Sequence, residues 1–240
     1  MRDIFLADAH LLLPTDHNYR MLLRFLDELR GSTGTLYILG DLFDFWVGLP
    51  GMPLPEYRPV IDALDRLRSG GTGLVYFEGN HDFRLGRVFD RLQCRIHEEP
   101  AVLSVQGKQL LLCHGDQLNP FDRDYHRLRK LLRSLPMRLA ISICPPVAAQ
   151  AVRHSLQRHS RRGYVEKQGR WDYRSIIRQA ALQYQKAGLD GMVCGHFHLP
   201  AIEQLDQPPF TLVSLGDWIT DFSYAEMTDG VLSLRQYSPT

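Results

Sequence analysis

Five short apolar runs, each followed at once by polar side chains, constrain the fold of this chain more than any other feature. The runs are four or five residues long and rich in β-branched, leucine and aromatic side chains, at residues 4–7, 35–39, 74–77, 109–113 and 191–194. Continuous apolar runs of this length are typical of strands that are buried on both faces. The sequence therefore predicts a sheet that is covered by other elements on both sides.

Stretches with helical periodicity lie between several of these runs. Residues 19–30 and residues 60–67 each carry their large apolar side chains on one side of a helix. Strand, loop, helix and strand in succession favour an α/β fold. The last part of the chain has the pattern of short strands separated by turns, at residues 201–205, 211–215, 224–227 and 231–237. A mixed sheet or a sandwich fits this order better than a purely parallel sheet.

The length and composition indicate a single globular domain over residues 1–240. Apolar residues make up 44% and charged residues 23% of the 240 residues, which is enough for a substantial core. The four cysteines lie far apart without a C-x-x-C pair, so we expect reduced thiols and a cytoplasmic location. We expect no secretory signal and no membrane-spanning helix, because no apolar stretch approaches about 20 residues.

A basic segment at residues 120–170 differs from the rest of the chain. It holds twelve Lys or Arg and three acidic residues, a net charge of +9 within a chain whose total is +1. Apolar residues are interleaved among these bases at helical spacing: Leu128, Leu131, Leu132, Leu135 and Leu139. We interpret the segment as a helical cap inserted between two strands of the domain.

Three interpretations of this basic cap remain open. Its charges could form a solvated helical face, bind the phosphates of a nucleic acid, or belong to a lid that holds a diphosphate and acyl chains at an anionic membrane surface. The interleaved leucines favour the lid, since phosphate binding alone would not need an apolar stripe. The same stripe could also dock the cap on the body of the domain.

The polar residues that follow the five runs form one set: Asp8 and His10, Asp41, Asn80 and His81, His114, and His196 and His198. Ligands of α/β sheets collect at the carboxyl ends of strands, so we expect these side chains to meet in one place. Imidazoles, carboxylates and an amide oxygen together favour divalent metals such as Mn, Fe, Co or Zn over calcium. The set exceeds the needs of one ion, which indicates two metals with Asp41 as the natural bridge. Such a pair can activate a water and clamp phosphate oxygens.

Five sequence blocks carry a family resemblance: Asp8-Ala-His10, Gly40-Asp-Leu-Phe-Asp44, Gly79-Asn-His-Asp82, His114-Gly-Asp116 and Gly195-His-Phe-His198. In this order, each after a predicted strand, they resemble the signature of the calcineurin-like metallophosphoesterases. The resemblance implies a two-sheet αββα sandwich. It also implies two sets of metal ligands, one made of Asp8, His10, Asp41 and His198, the other of Asp41, Asn80, His114 and His196.

Extensions of these blocks resemble the branch of that family that hydrolyses UDP-2,3-diacylglucosamine in lipid A biosynthesis. The second block runs on to Gly48, the third to Gly86, and a Leu215-Gly-Asp-Trp218 segment follows the last. The resemblance implies a Mn²⁺-dependent hydrolase that attacks the α-phosphorus and releases UMP and 2,3-diacylglucosamine 1-phosphate (lipid X). It further implies a lipidated nucleotide sugar as partner and a peripheral position on the cytoplasmic face of the bacterial inner membrane. Neither a nucleic acid nor a protein partner is expected.

Catalysis and substrate binding are expected from side chains beside the metals. His81 stands where that branch commonly has Arg, although His is usual in the wider superfamily. We expect the His81 ring to donate a proton to a phosphate or leaving oxygen, with Asp82 orienting it. Substrate contacts are expected from six residues: Asn80, His81, Asp122, Ser160, Lys167 and His196.

Several neighbouring side chains have two interpretations. Asp44 could accept a hydrogen bond from a ligand histidine or cap a helix, and Asp116 is similar. His126 lies near Asp122 at helical spacing, which makes it the one further histidine whose role we would test. The aromatic side chains of the second and third blocks are expected to pack in the core rather than touch substrate: Phe45, Trp46 and Phe83.

Three alternative functions remain. The first is a phosphodiesterase or nucleotide pyrophosphatase of the same superfamily with a non-lipid substrate. The second is a metal-binding scaffold without catalysis, which would be expected to have lost ligands, whereas this sequence keeps the full set. The third is a nuclease that uses the basic cap.

Overall fold

The computed structural model describes residues 1–145 and 170–238. Its strands are β1 (Arg2–Leu6), β2 (Thr33–Ile38), β3 (Gly73–Phe77), β4 (Arg95–His97), β5 (Ala101–Val105), β6 (Lys108–Cys113), β7 (Gly191–Cys194), β8 (Ala201–Asp206), β9 (Pro209–Ser214), β10 (Ser223–Thr228) and β11 (Val231–Gln236). Its helices are α1 (His17–Glu28), α2 (Arg58–Ser69), α3 (Arg87–Arg91), α4 (Arg123–Leu132), α5 (Leu135–Ser142) and α6 (Tyr173–Lys186). Ser160, Lys167 and the second half of the expected cap lie outside the described residues.

The strands form two sheets. The first has the order β11-β10-β1-β2-β3-β4 and the second the order β5-β6-β7-β9-β8. The four strands β1 to β4 run parallel, as do β6, β7 and β9, while β10, β11, β5 and β8 pair antiparallel at the edges. Both sheets are mixed, as the turn-rich last part of the sequence predicts.

Alternation along β1 shows how the layers are packed. Ile4 and Leu6 join a core with apolar residues of α1 and α2. Phe5 joins a second core between the two sheets, where it meets residues such as Leu112 and Val213. A third core lies between the second sheet and α6, with Met192 and Ile177 among its members. Helix, sheet, sheet and helix therefore stack in that order, and the predicted αββα sandwich is confirmed.

Helices α4 and α5 are held to the body by arginines. Arg129 bonds to Asp116 and Glu99 at 3.2 and 3.0 Å. Arg133 donates to the buried Glu78 at 2.7 Å, and Arg138 pairs with Glu98. Part of the positive charge of the cap is thus used to attach it to the domain.

The leucine stripe of the cap divides into two parts. Leu132 packs against a small buried cluster that includes Phe45 and Phe83. The other four leucines are exposed, as are two further apolar residues of the same region: Leu128, Leu131, Leu135, Leu139, Phe121 and Ile143. Ile141 of α5 packs against the same cluster. Within the described part of the chain, Leu132 is thus the leucine of the stripe that packs against the body, and most of the stripe faces outward. No helix in the described ranges has the length and apolarity to cross a bilayer.

Candidate dinuclear metal centre

The candidate site lies where the carboxyl ends of strands from both sheets meet. Asp8 and His10 follow β1, Asp41 follows β2, Asn80 follows β3, His114 follows β6, and His196 and His198 follow β7. The Asp8 carboxylate accepts a hydrogen bond from the backbone N–H of His196 at 2.8 Å, so it joins the two sheets directly. The structure thus brings all seven predicted ligands together.

One half of the site is built around Asp8. Its Oδ1 lies 3.5 Å from Nε2 of His198 and 3.9 Å from Nε2 of His10. The ligand atoms of these three residues all fall within 4.8 Å of one another. Such a cluster of one carboxylate oxygen and two imidazole nitrogens has the composition of a transition-metal site.

The other half is built around Asp41. Its Oδ2 lies 3.4 Å from Nε2 of His114 and 3.9 Å from Nε2 of His10. The same nitrogen of His114 lies 3.0 Å from Oδ1 of Asn80. The His196 ring packs edge-on against His114, with 5.0 Å between ring centroids. Because Asp41 faces histidines of both halves, it occupies the place that a bridging ligand needs.

Two buried polar atoms test whether the site suits metal ions. Oδ1 of Asp8 and Nε2 of His10 are inaccessible to water and have no hydrogen-bond partner among the described residues. Leaving a buried carboxylate oxygen unsatisfied costs on the order of 1–3 kcal/mol or more. A divalent cation bound between these atoms would satisfy both, so the residues present fit the expected metal.

Backbone conformation at the ligands is unusual. Five of the seven have left-handed backbone dihedrals, with φ between 45° and 73°: Asp8, His10, Asp41, His196 and His198. Non-glycine residues rarely adopt this region, and such residues concentrate at functional sites. Glycines allow neighbouring segments to approach closely, since a Cβ at Gly79 would collide with Oδ1 of Asp41 and one at Gly195 would lie 2.5 Å from Oδ2 of Asp8.

Two of the imidazoles are held neutral. Burial, reinforced by the charge of His81, lowers the pKa of His10 to about 4. Burial, reinforced by the charge of His114, lowers the pKa of His196 to about 4. Neutral imidazole is the form that binds a metal, so both rings are ready to do so.

The other two imidazoles share protons with the carboxylates. Burial opposes charge on His114, but Asp41 raises the pKa of His114 to about 10. Burial likewise opposes charge on His198, but the contact with Asp217 and the charge of Asp8 raise its pKa to about 11. Burial would raise the pKa values of Asp8 and Asp41, yet the adjacent histidines lower them. Without metal, His114 and His198 therefore stay protonated beside Asp41 and Asp8 at neutral pH, while His10 and His196 are neutral.

Asp82, which is expected to orient the His81 ring, has hydrogen bonds to other groups in the structure. The buried Asp82 carboxylate accepts hydrogen bonds from the backbone N–H groups of Asp41, Phe43 and Gly79 and from the Tyr76 hydroxyl. Burial and the charge of Asp41 raise its pKa to about 7. Asp82 therefore fixes the loop that carries Asp41, and the carbonyl oxygen of Asp44, 2.9 Å from Nδ1, orients the His81 ring.

The structure shows the surroundings of Asp44 and Asp116, for which the sequence leaves two interpretations. Asp44 lies in a loop rather than at a helix start, with a ligand atom within 4.8 Å of those of His10 and His81, which removes the capping interpretation. Asp116 bonds to the Tyr125 hydroxyl and to Arg129 of the cap.

The expected substrate residue of the cap has a structural contact as well. Asp122 caps α4 by accepting from the Tyr125 N–H at 3.2 Å. His126 is occupied too, with Nε2 lying 2.8 Å from the Asn119 carbonyl oxygen. Phe45, Trp46 and Phe83 are buried, which confirms that they pack in the core.

One residue of the site is missed by reasoning from the sequence. Asp217 lies with Oδ2 3.2 Å from Nδ1 of His198. The Leu215-Gly-Asp-Trp218 segment begins more than 15 residues beyond the last block, so the five-block pattern does not place it at the site. A short polar stretch after a strand of the second sheet is the signal that could have identified it.

Comparison with known proteins gives a consistent result. The family model for calcineurin-like phosphoesterases matches residues 1–200. A UDP-2,3-diacylglucosamine hydrolase of Aeromonas salmonicida is 32% identical over 240 residues, which cover 98% of this chain and 93% of the relative. The protein of the same name from Pseudomonas paraeruginosa is 35% identical over 225 residues, 91% of each chain. An archaeal phosphodiesterase of known structure covers 99% of this chain and 100% of its own with a TM-score of 0.52, and at 14% identity it shows the fold alone.

Metal uptake is expected to release protons. At pH 7 the metal-free site keeps protons on His114 and His198, whose pKa values are about 10 and 11. Metal binding needs the lone pairs that these protons occupy, so filling both halves should expel about two protons, and affinity should rise between pH 6 and 9. Calorimetric titration with Mn²⁺ in two buffers of different ionisation enthalpy measures the number. Metal binding without proton release, or with affinity that falls as pH rises, would contradict the described pairing.

Proposed function

Because this chain belongs to the calcineurin-like phosphoesterase family, we propose that it hydrolyses the pyrophosphate of UDP-2,3-diacylglucosamine at the α-phosphorus. The products are UMP and 2,3-diacylglucosamine 1-phosphate (lipid X). One observation carries the proposal. A complete set of seven ligands converges around two buried carboxylates, in a chain that matches hydrolases named for this substrate over nearly its whole length.

We assign the two metal positions to the two halves of the site. Asp8, His10, Asp41 and His198 would hold one ion, and Asp41 would share the second with three residues, namely Asn80, His114 and His196. The mixed nitrogen and oxygen donors suit Mn²⁺, which we propose as the metal. When bound, two such ions lower the pKa of a water and neutralise charge on the phosphate oxygens.

The chain itself supplies proton transfer through His81. Its Nδ1 lies 2.9 Å from the Asp44 carbonyl oxygen, which can only accept, so Nδ1 carries a hydrogen. Proton transfer to the substrate would then pass through Nε2, and a ring that carries a hydrogen there would give it to the departing sugar-phosphate oxygen. The backbone N–H of His81 donates to Oδ1 of Asp41 at 2.8 Å, which keeps this ring beside the candidate bridge.

Substrate binding would draw on the centre and on the cap. Asn80, His81 and His196 line the centre and would meet the pyrophosphate. Asp122 stands at the first turn of the cap, while Ser160 and Lys167 belong to the part outside the described residues. These six assignments follow the family pattern, and Asp122 would combine substrate binding with its capping bond to α4.

A second candidate is a nucleotide pyrophosphatase or phosphodiesterase with a non-lipid substrate. The observation that favours it is His81, because the lipid-specific branch commonly has Arg at this position. An imidazole gives one donor toward a phosphate where a guanidinium gives a planar fork, so the two could prefer different substrates.

We also propose that the protein works as a peripheral protein on the cytoplasmic face of the inner membrane. Leu135, Leu139 and Ile143 are 70%, 63% and 81% exposed on the outer side of α5 and just after it. Exposed apolar residues beside basic ones can rest at an anionic lipid surface, which is where a diacylated substrate is found. The four free thiols favour a reducing compartment.

Hydrolysis of the lipid substrate is the first test. Purified protein with Mn²⁺ should release UMP from UDP-2,3-diacylglucosamine, and in ¹⁸O-labelled water the label should enter UMP because the α-phosphorus is attacked. Asp41→Asn, which removes one candidate bridging oxygen, should abolish the reaction. UDP-N-acetylglucosamine has the same pyrophosphate without long acyl chains and should react far more slowly. Equal rates on both substrates would favour the second candidate, and label in the sugar phosphate would contradict attack at the α-phosphorus.

Loss of the His81 ring should impair turnover but not metal binding. His81→Ala should lower kcat by about 10²–10⁴, the range for a lost general acid or base, while metal analysis still finds two ions per chain. His17→Ala, at an exposed histidine on the first turn of α1, is the matched control and should keep wild-type turnover. If the His81 variant loses a metal ion instead, the role assigned to this ring is wrong.

Membrane association should depend on the exposed face of the cap. Replacing Leu135, Leu139 and Ile143 by Ser should reduce co-sedimentation with phosphatidylethanolamine–phosphatidylglycerol vesicles several-fold, because apolar contact with the bilayer is lost. Val231→Ser alters an apolar residue that is 67% exposed on β11 and should have no effect. Unchanged vesicle binding by the triple variant would rule out this face as the contact.

A further inference from the structure

Asp217 is a buried carboxylate whose two oxygens have different environments. Its Oδ1 accepts from the backbone N–H groups of Ile219 and Thr220 at 2.8 and 2.6 Å and from the Thr220 hydroxyl at 3.1 Å. The backbone N–H of Asp221 adds a longer bond of 3.3 Å. Oδ2 also accepts from the Thr220 hydroxyl at 3.2 Å, and it faces Nδ1 of His198 at 3.2 Å. The turn that follows Asp217 thus fixes its carboxylate, so that one oxygen is presented to the imidazole.

The segment that carries Asp217 is bonded to the centre on both sides. The backbone N–H of Trp218 donates to the carbonyl oxygen of Asp8 at 3.0 Å, and that of Leu215 donates to the carbonyl oxygen of Cys194 at 2.8 Å. The Trp218 side chain is fully buried and packs against Phe25. Asp217 therefore has a fixed position relative to both Asp8 and the end of β7.

The position of Asp217 determines which nitrogen of His198 is available to a cation. A carboxylate only accepts, so Nδ1 carries the hydrogen that lies between His198 and Asp217. Nε2 then faces Oδ1 of Asp8 at 3.5 Å, beyond a normal hydrogen bond. Oδ1 of Asp8 is buried without a hydrogen-bond partner among the described residues. Two acceptor atoms that face each other in this way are held together by a proton or a cation.

We propose that Asp217 is a positioning residue for His198, which it orients with Nε2 toward Asp8 and makes a stronger ligand for the divalent cation held there. A carboxylate behind a ligand imidazole fixes its tautomer and raises its basicity, and such partners change metal affinity by about 10–100-fold. The inference rests on the proposed metal centre, although not on its substrate.

The two halves of the centre differ in the group that accepts from Nδ1 of a histidine. Nδ1 of His114 lies 2.8 Å from the carbonyl oxygen of Leu39, a neutral acceptor. His198 instead has a charged acceptor, which forms the stronger hydrogen bond and leaves more electron density on Nε2. Since Asp217 contacts His198, whereas Nδ1 of His114 is paired with Leu39, removal of Asp217 should weaken the ion beside Asp8 and spare the ion beside His114.

Graded substitutions and direct metal titration test the proposal. Asp217→Ala removes the acceptor, Asp217→Asn keeps its shape and an amide oxygen but loses the charge, and Asp221→Asn changes a carboxylate of the same turn. Mn²⁺ binding is measured by equilibrium dialysis and calorimetry, and the melting temperature in chelator reports on folding. Wild type and Asp221→Asn should bind two ions. Asp217→Ala should lose about 10–100-fold in affinity for one ion only, with Asp217→Asn between the two.

The outcomes separate this inference from the proposed metal centre. Two ions bound by both Asp217 variants with wild-type affinity would overturn it, and so would equal weakening of both ions with a large fall in melting temperature. A wild-type protein that binds fewer than two ions would instead overturn the metal centre itself. In support, kcat of Asp217→Asn should recover with rising Mn²⁺ while KM for the substrate stays unchanged, which a general structural defect would not produce.

Discussion

The burial of two carboxylates at the junction of two sheets is the constraint on which the rest of this structure depends. Asp8 and Asp41 are almost fully removed from water, and an unpaired buried charge costs several kcal/mol. The backbone N–H groups of His196 and His81 each donate to one of their oxygens at 2.8 Å. The remaining oxygens face imidazoles. Such an arrangement holds together only when positive charge, from protons or from divalent cations, lies between the carboxylates and the rings.

This constraint explains why the backbone is unusual around the candidate ligands. To aim short side chains inward from strands that are packed on both faces, the chain must turn sharply directly after each strand, and it adopts left-handed dihedrals at residues such as Asp8, Asp41 and His198. Each such residue costs about 1–3 kcal/mol. The three apolar cores that surround the sheets supply the stability against which this cost is set. Five of the ten non-glycine residues with positive φ in the described ranges are candidate ligands that lie just after strands.

The sequence predicts the fold and the meeting of the ligands well, because both depend on local patterns. An apolar run between covered faces is readable from a few residues, and a polar residue directly after it must lie at the strand end. The features that the sequence does not predict depend on contacts between distant segments. Asp217 comes close to His198 only because β9 pairs with β7, and Asp82 turns toward the loop of Asp41 although it adjoins His81 in the chain. The leucines of the cap are a further example, since helical spacing alone does not predict which of them pack against the body of the domain.

The cap and the centre are joined through the same strand ends. Asp116, two residues beyond His114, bonds to Arg129 of α4. Glu78, two residues before Asn80, accepts from Arg133 near the end of the same helix. Both acids are buried, so breaking either pair would leave a charge without compensation and costs more than a surface ion pair would. The described part of the cap is therefore fixed relative to the ligands, and its outward apolar face has a constant distance from the place where phosphate chemistry occurs.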